Sequence, residues 1–192
     1  MKTVYFATTN QEKLKNAQIV CFEAGIIIEP AALDIDEIQG ENSELIVKDK
    51  ASRAFELTGK PVVVSDDSWS IKALNGFPGP YMKSINHWFS PEDFLRLMHN
   101  IEDRRITLHQ YLAYASDEIT KVFKTESFGE IVHNVRDGEQ ALPSQAVIAM
   151  DSDGGKTIAE ALAQDDEAIR QRYKERRDVW HDFVEWYKKS VT

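Results

Sequence analysis

VVVSDDSWSIKALNGFPGPY, residues 62–81, decides how the rest of the chain is read. Its valines have the β-branched, apolar character of a buried strand. Two aspartates, Asp66 and Asp67, follow at once, and then the turn-rich NGFPGPY. Neighbouring carboxylates inside a strand point to opposite faces, so the expectation is a strand that ends at the pair, where both can reach one place. Two readings account for them. They are a hydrated strand end, or they hold a cation, because adjacent like charges are costly unless solvated or neutralised.

Working outward, Pro61 opens this strand, and Gly59 closes a helix expected from Asn42 or Ser43 to about Thr58, with Val47, Ala51, Ala54 and Phe55 on one face. Upstream, KTVYFA (2–7) reads as a strand that runs straight into a helix carrying Leu14, Ala17, Ile19, Val20 and Cys21 at helical spacing. Thr9 and Glu12 fit a capping box, which starts that helix at Thr9 or Asn10, and Gly25 stops it. Residues 26–36 are extended and lead to the loop EIQGEN. Strand and helix thus alternate, the pattern of a sheet with helices packed against it.

The second half differs. SPEDFLRLMHNI (90–101) is a Ser-capped helix with Pro91 at its first position. Residues 104–115 and 119–133 read as two long strands joined at SDE. NVRDGEQALPSQ is a loop, KTIAEAL a short helix, and residues 165–190 one charge-rich helix in which Trp180, Phe183, Val184, Trp186 and Tyr187 form a packing stripe.

Composition narrows the function classes. A net charge of −9 over 192 residues argues against a broad basic surface for nucleic acid. RQRYKERR (170–177) alternates with acidic residues and reads as a solvated helix face. One cysteine, Cys21, rules out a disulfide framework and favours a reducing compartment. No apolar run reaches transmembrane length, and MKTVYFATTN is too short and polar for a signal peptide, so the expectation is a cytoplasmic protein that engages no membrane. The five histidines have no zinc-ligand spacing.

Three segments of the first half carry groups suited to phosphate chemistry. FATTNQEKL places a polar turn between a strand end and a helix start, where free N–H groups and the helix dipole attract anions, with Lys13 in the first turn. Plain helix capping explains the same residues. Lys50 lies at the margin of an apolar helix face along which its stem can run, and Glu41 precedes that helix. A solvated helix start explains those two. Taken together with Asp66 and Asp67, the groups at these junctions suit a polyphosphate carried with a divalent cation.

ATTNQEKL, EIQGEN with KDKA, and above all PVVVSDDSWSIKALNGFPGPY resemble the inosine triphosphate pyrophosphatase family, also called the Ham1 or non-canonical purine NTP pyrophosphatase family. The match covers roughly residues 1–85. It implies an elongated two-lobed α/β fold, a single ITPase-like domain over 1–192 with a mixed central sheet flanked by helices and no linker, and a homodimer. It implies Mg²⁺-dependent hydrolysis of a nucleoside triphosphate to the monophosphate and pyrophosphate. Carried over by position, Thr8, Asn10, Lys13, Lys50, Ser68 and Arg176 would bind substrate. Glu41, Asp66 and Asp67 would serve the metal; of the catalytic set Asp67, Lys13 and Lys50, Asp67 would activate the attacking water and the two lysines would hold the phosphates.

The second half departs from the family pattern. Leu142, Pro143, Ser144 and Gln145 stand where a Phe, a Gly, an aromatic and an Asp are expected ahead of KTIAEAL. Lys174, Glu175 and Arg176 stand for a Ser-His-Arg unit, of which the arginine remains, and Arg170 replaces an upstream lysine. The expectation is altered base recognition, with Trp69 as either core or new aromatic surface. The alternative is a relative that has lost turnover and binds a nucleotide or a protein partner as a regulator.

Overall fold

The computed structural model describes residues 2–36, 38–139 and 142–190. Glu37 of the EIQGEN loop, and Gln140 and Ala141 of the loop expected over 134–145, lie outside them. In chain order the elements are β1 (Lys2–Ala7), α1 (Gln11–Phe22), β2 (Ile26–Ala31), α2 (Ser43–Thr58), β3 (Val62–Ile71), β4 (Pro78–Gly79), α3 (Met82–Trp88), α4 (Pro91–Leu97), β5 (Arg105–Ala115), β6 (Thr120–Ile131), β7 (Ile148–Met150), α5 (Ile158–Leu162), α6 (Asp166–Glu175) and α7 (Val179–Ser190). The strand order is β2-β1-β3-β5-β6-β7, with β4 on β3. β1 runs parallel to β2 and β3, whereas β4 and β7 pair antiparallel, so the sheet is mixed and the protein α/β as expected.

The chain forms two compact units, Met1–Asp67 with Gln110–Thr125 and Arg170–Thr192, and Ser68–His109 with Glu126–Ile169. In the first, alternation along β1 and β3 divides the core. Val4, Phe6 and Val63 face α1 and α7, where Phe183 is fully buried, while Ala7, Val62 and Val64 face α2 through Val47, Ala51 and Ala54. Helices on both faces are what parallel strands with near-continuous apolar runs demand. The aromatic stripe of α7 is core: Trp180 meets Phe6 edge to face at 4.9 Å, and Trp186 packs at the margin. The second unit has its own core, built from Ile71, Phe94, Met98, Ile106, Ile131 and Ile148, with Trp69 packed against it. Trp69 therefore belongs with the core.

Local signals set most helix boundaries. Asn10, rather than Thr9, caps α1, its Oδ1 accepting the Lys13 N–H at 3.0 Å. Asn42 caps α2, and Gly59 closes it at φ +60°. Ser90 and Asp93 form a capping box at α4, as do Thr157 and Glu160 at α5.

Two expectations are corrected. First, β3 does not end at the aspartates; it continues to Ile71, with Ser68 and Ile71 buried and Trp69 and Ser70 paired to β4. Secondly, residues 165–190 are two helices, because Asp178 accepts the Trp180 N–H at 3.0 Å and starts α7 afresh. The segment after NGFPGPY, for which the sequence reading names no element, holds α3, whose Met82 and Ile85 enter the core of the second unit. Among the described residues no helix is long and apolar enough to cross a membrane.

Candidate active site

In the first unit β1 lies between its two parallel partners, β2 on one side and β3 on the other. The chain leaves β1 through α1 to reach β2, then crosses through α2 to β3. The carboxyl end of β1 is therefore a topological switch point, where open α/β sheets form their ligand crevices. Thr8 to Lys13 fill the turn there, and the continuation of β3 brings Asp66 and Asp67 alongside.

The turn is ordered by its own side chains. Thr8 Oγ1 accepts the Asn10 N–H at 3.1 Å, and Asn10 holds the Lys13 N–H. The first-turn N–H groups of α1 that point along the axis face the same end, so the turn is electropositive before any side chain is counted. Lys13 adds its ammonium, which lies 2.9 Å from Asp67 Oδ2, both side chains being a little under one-third exposed.

Alternation along β3 separates the two aspartates. Asp67 shares the face of Val63 and meets α1 through Lys13, whereas Asp66 shares the face of Val62 and Val64, toward α2. Lys50 is on α2 and half-buried, and Glu41 lies exposed just before the Asn42 cap. Among the described residues no three His, Cys, Asp or Glu side chains gather as a metal cage, so Glu41, Asp66 and Asp67 are not a preformed cluster.

Arg176 is placed by the junction of α6 and α7. Asn16 Nδ2 donates to Asp178 Oδ2 at 2.6 Å, Tyr173 Oη donates to Glu12 Oε1 at 3.3 Å, and Lys174 pairs with Glu23 at 2.6 Å. These contacts dock the junction on α1, the helix that follows the Thr8–Asn10 turn. Burial, and then the Glu12 carboxylate, push the Tyr173 phenol well above its ordinary range, so it stays a donor. Arg176 is half-buried at this junction.

A family model described as the Ham1 family matches residues 4–179. The chain belongs to the Ham1 family. It is 31% identical over 189 residues to a dITP/XTP pyrophosphatase of Methanopyrus kandleri, covering 98% of this chain and 97% of that one. It is 30% identical over 172 residues to inosine triphosphate pyrophosphatase 1 of Trypanosoma cruzi, covering 89% and 87%. Among solved structures, a HAM1 protein from Coxiella burnetii superposes with a TM-score of 0.78 over 99% of this chain and 100% of that one at 20% identity. The Staphylococcus aureus Ham1 protein gives 0.74 over 100% of both chains at 22% identity.

Ham1 membership sharpens the contrast in the second unit. Pro143–Ala146 forms a 3₁₀ turn in which Gln145 Oε1 accepts the Leu142 N–H at 3.0 Å and the buried Ser144 N–H donates to Asn86 Oδ1 at 2.9 Å. Gln145 and Ser144 thus hold the turn closed, and Leu142 is its exposed apolar tip. Ser68, next after Asp67 on β3, is buried. A cleft of about 480 Å³ in this unit surrounds Met98, His99, Arg104 and His133 and contains none of the expected site residues. Arg104 there is spent on three carbonyls, of Met98, Ile131 and Val132. Sequence reasoning missed Asp178, the buried anchor of the junction, because a charged residue within a charge-rich stretch carries no burial signal.

Proposed function

We propose that this chain is a Mg²⁺-dependent pyrophosphatase that hydrolyses a modified or non-canonical nucleoside triphosphate to the monophosphate and pyrophosphate, with base recognition altered from the family's. The observation that supports it is the Lys13–Asp67 pair, anion-seeking and water-activating groups in contact at the switch point. The relatives at about 30% identity carry inosine triphosphate and dITP/XTP pyrophosphatase names.

The donor set fits Mg²⁺ in a limited way. Mg²⁺ takes one or two protein carboxylates and completes its octahedron with phosphate oxygens and water, so it needs no protein cage. Asp67 already holds a cationic partner, Lys13. Glu41, Asp66 and Asp67 would hold the ion as the substrate brings it, since no cage of the three is preformed among the described residues. When bound, the ion neutralises developing charge on the phosphate oxygens.

The remaining steps belong to the chain. Thr8, Asn10 and the first turn of α1 cradle phosphate oxygens, Lys13, Lys50 and Arg176 counter their charge, and Ser68 contacts the substrate from β3. Asp67 takes a proton from a water whose oxygen bonds the α-phosphorus, while the α–β anhydride bond breaks and pyrophosphate leaves. In the second unit the Leu142–Gln145 turn stands where the resemblance expects an aromatic loop, which supports altered selectivity among bases.

Pyrophosphate release from a panel of standard and modified triphosphates with Mg²⁺, with Asp67→Asn alongside, tests this reading. At least one nucleotide is turned over, and the Asn variant loses at least about a hundredfold in rate. Silence across the panel, or an Asn variant as fast as the parent, defeats it.

A further inference from the structure

The second unit contains an arrangement that the nucleotide reading does not use. Ser70 Oγ lies 2.8 Å from His109 Nε2, and His109 Nδ1 lies 3.0 Å from Glu126 Oε1. The three side chains come from β3, β5 and β6, which are neighbours in the sheet.

The hairpin register builds the second of these contacts. Ser116 donates its N–H to the Ile119 carbonyl at one end, and Ile131 donates to Arg104 at the other. Both bonds belong to one antiparallel register, which sets His109 directly opposite Glu126. It also makes them a pair between ladder hydrogen bonds, the kind in which side chains stand closest.

The protonation pattern follows from donor and acceptor capacity. An ionised Glu126 only accepts, so Nδ1 of a neutral His109 carries the proton. Nε2 is then a lone-pair acceptor, and the Ser70 hydroxyl donates to it. A hydroxyl facing an imidazole that a carboxylate orients from behind is the activated-nucleophile pattern, recognised by geometry and not by sequence order. The ring is about one-fifth exposed and Glu126 two-fifths, so the relay is reachable from solvent.

We propose that Ser70, His109 and Glu126 form a second reactive centre, independent of the nucleotide site, in which Ser70 accepts acyl groups from small activated esters. Ser70 Oγ bonds the carbonyl carbon and passes its proton to His109 Nε2. Collapse of the adduct breaks the ester bond, and His109 returns the proton to the departing oxygen. Water, deprotonated by the same nitrogen, then releases the carboxylic acid and regenerates Ser70. Strands spend their N–H groups in the ladder, so β3 offers Ser70 no ready pair of oxyanion donors. Loss of one such donor costs about 10²–10³ in rate, which restricts the centre to esters with good leaving groups. Phe128, exposed and two residues from Glu126 on the same face of β6, supplies apolar surface for an aryl ester.

The test uses the full chain with a fluorophosphonate probe, which bonds an activated serine through phosphorus with loss of fluoride, and with an aryl acetate. Intact mass is expected to show one adduct, mapped to the peptide carrying Ser70, and Ser70→Ala abolishes it. His109→Ala slows labelling at least about a hundredfold, while Glu126→Gln slows it less. Thermal melting verifies that each variant is folded, and if His109→Ala does not fold, His109→Gln takes its place. Labelling that is absent, or that survives in Ser70→Ala, or that proceeds undiminished without the imidazole, overturns the proposal. None of these readouts depends on nucleotide turnover, so the two functional readings stand or fall separately.

Discussion

Replacing Asp178 with alanine tests how the junction of α6 and α7 is held. The Asp178 carboxylate is 4% exposed and accepts from Asn16 Nδ2, the Trp180 N–H and His181 Nδ1. Alanine removes the cap of α7, worth about 1 kcal/mol, and leaves two further donors facing a vacated acceptor. Breaking a buried charged network by removing one partner costs roughly 3–5 kcal/mol, which corresponds to about 10 °C in melting temperature for a chain of this size. A pH signature accompanies the loss. The hydrogen bond to Asp178 holds the His181 pKa above its ordinary value, against the opposing effect of burial. A raised folded-state pKa means the contribution is complete below the unfolded pKa, about 6.5, and is lost as pH climbs through the folded value. Thermal melts of parent and variant at pH 6 and pH 8.5 measure both effects. The parent loses stability across that interval through His181, and the variant loses less. A variant within about 1 kcal/mol of the parent, or one with an unchanged pH response, would refute this account of the junction.

Two other perturbations follow from packing. A Cβ added at Gly129 on β6 falls on the carbonyl of Ala149 on β7, well inside van der Waals contact, so Gly129→Ala is expected to lower stability by about 1–3 kcal/mol in denaturant melts. Cys21 is fully buried, and burial followed by the Asp178 charge pushes its thiol far above the usual range. It should resist thiol reagents at pH 8 in the folded state and react on unfolding; rapid labelling of native protein contradicts its placement.

Many helix boundaries are legible in the sequence because their signals are local. Asn10, Asn42, Gly59, Ser90 and Pro91 act within a turn of their own helices, and the Val47, Ala51, Ala54 face repeats at helical spacing. The end of β3 was misread for the opposite reason. Two aspartates and a turn-rich run look like a stop, yet pairing with β4 and burial of Ser68 and Ile71 carry the strand through them. The unbroken periodicity of residues 165–190 likewise hid a break imposed by Asp178 and its long-range bond to Asn16. Lys13 and Asp67 were flagged separately; their contact required the sheet order. Ser70, His109 and Glu126 are invisible as a group in the sequence, since only the pairing and register of three strands, β3, β5 and β6, make neighbours of residues so far apart in the chain.

That register makes the short turn after β5 a length gauge. The polar loop after β2 can lengthen cheaply, since doubling a flexible loop costs only about 0.6 kcal/mol. Residues 116–119 have no such freedom, because the Ser116–Ile119 bond closes the turn and fixes the pairing behind it. One residue added or removed there slides β6 by a single step, which exchanges its two faces. Phe123 and Ile131 would leave the core as Glu126 turned away from His109, so the fold and the relay would fail together from a change that alters no side chain in either.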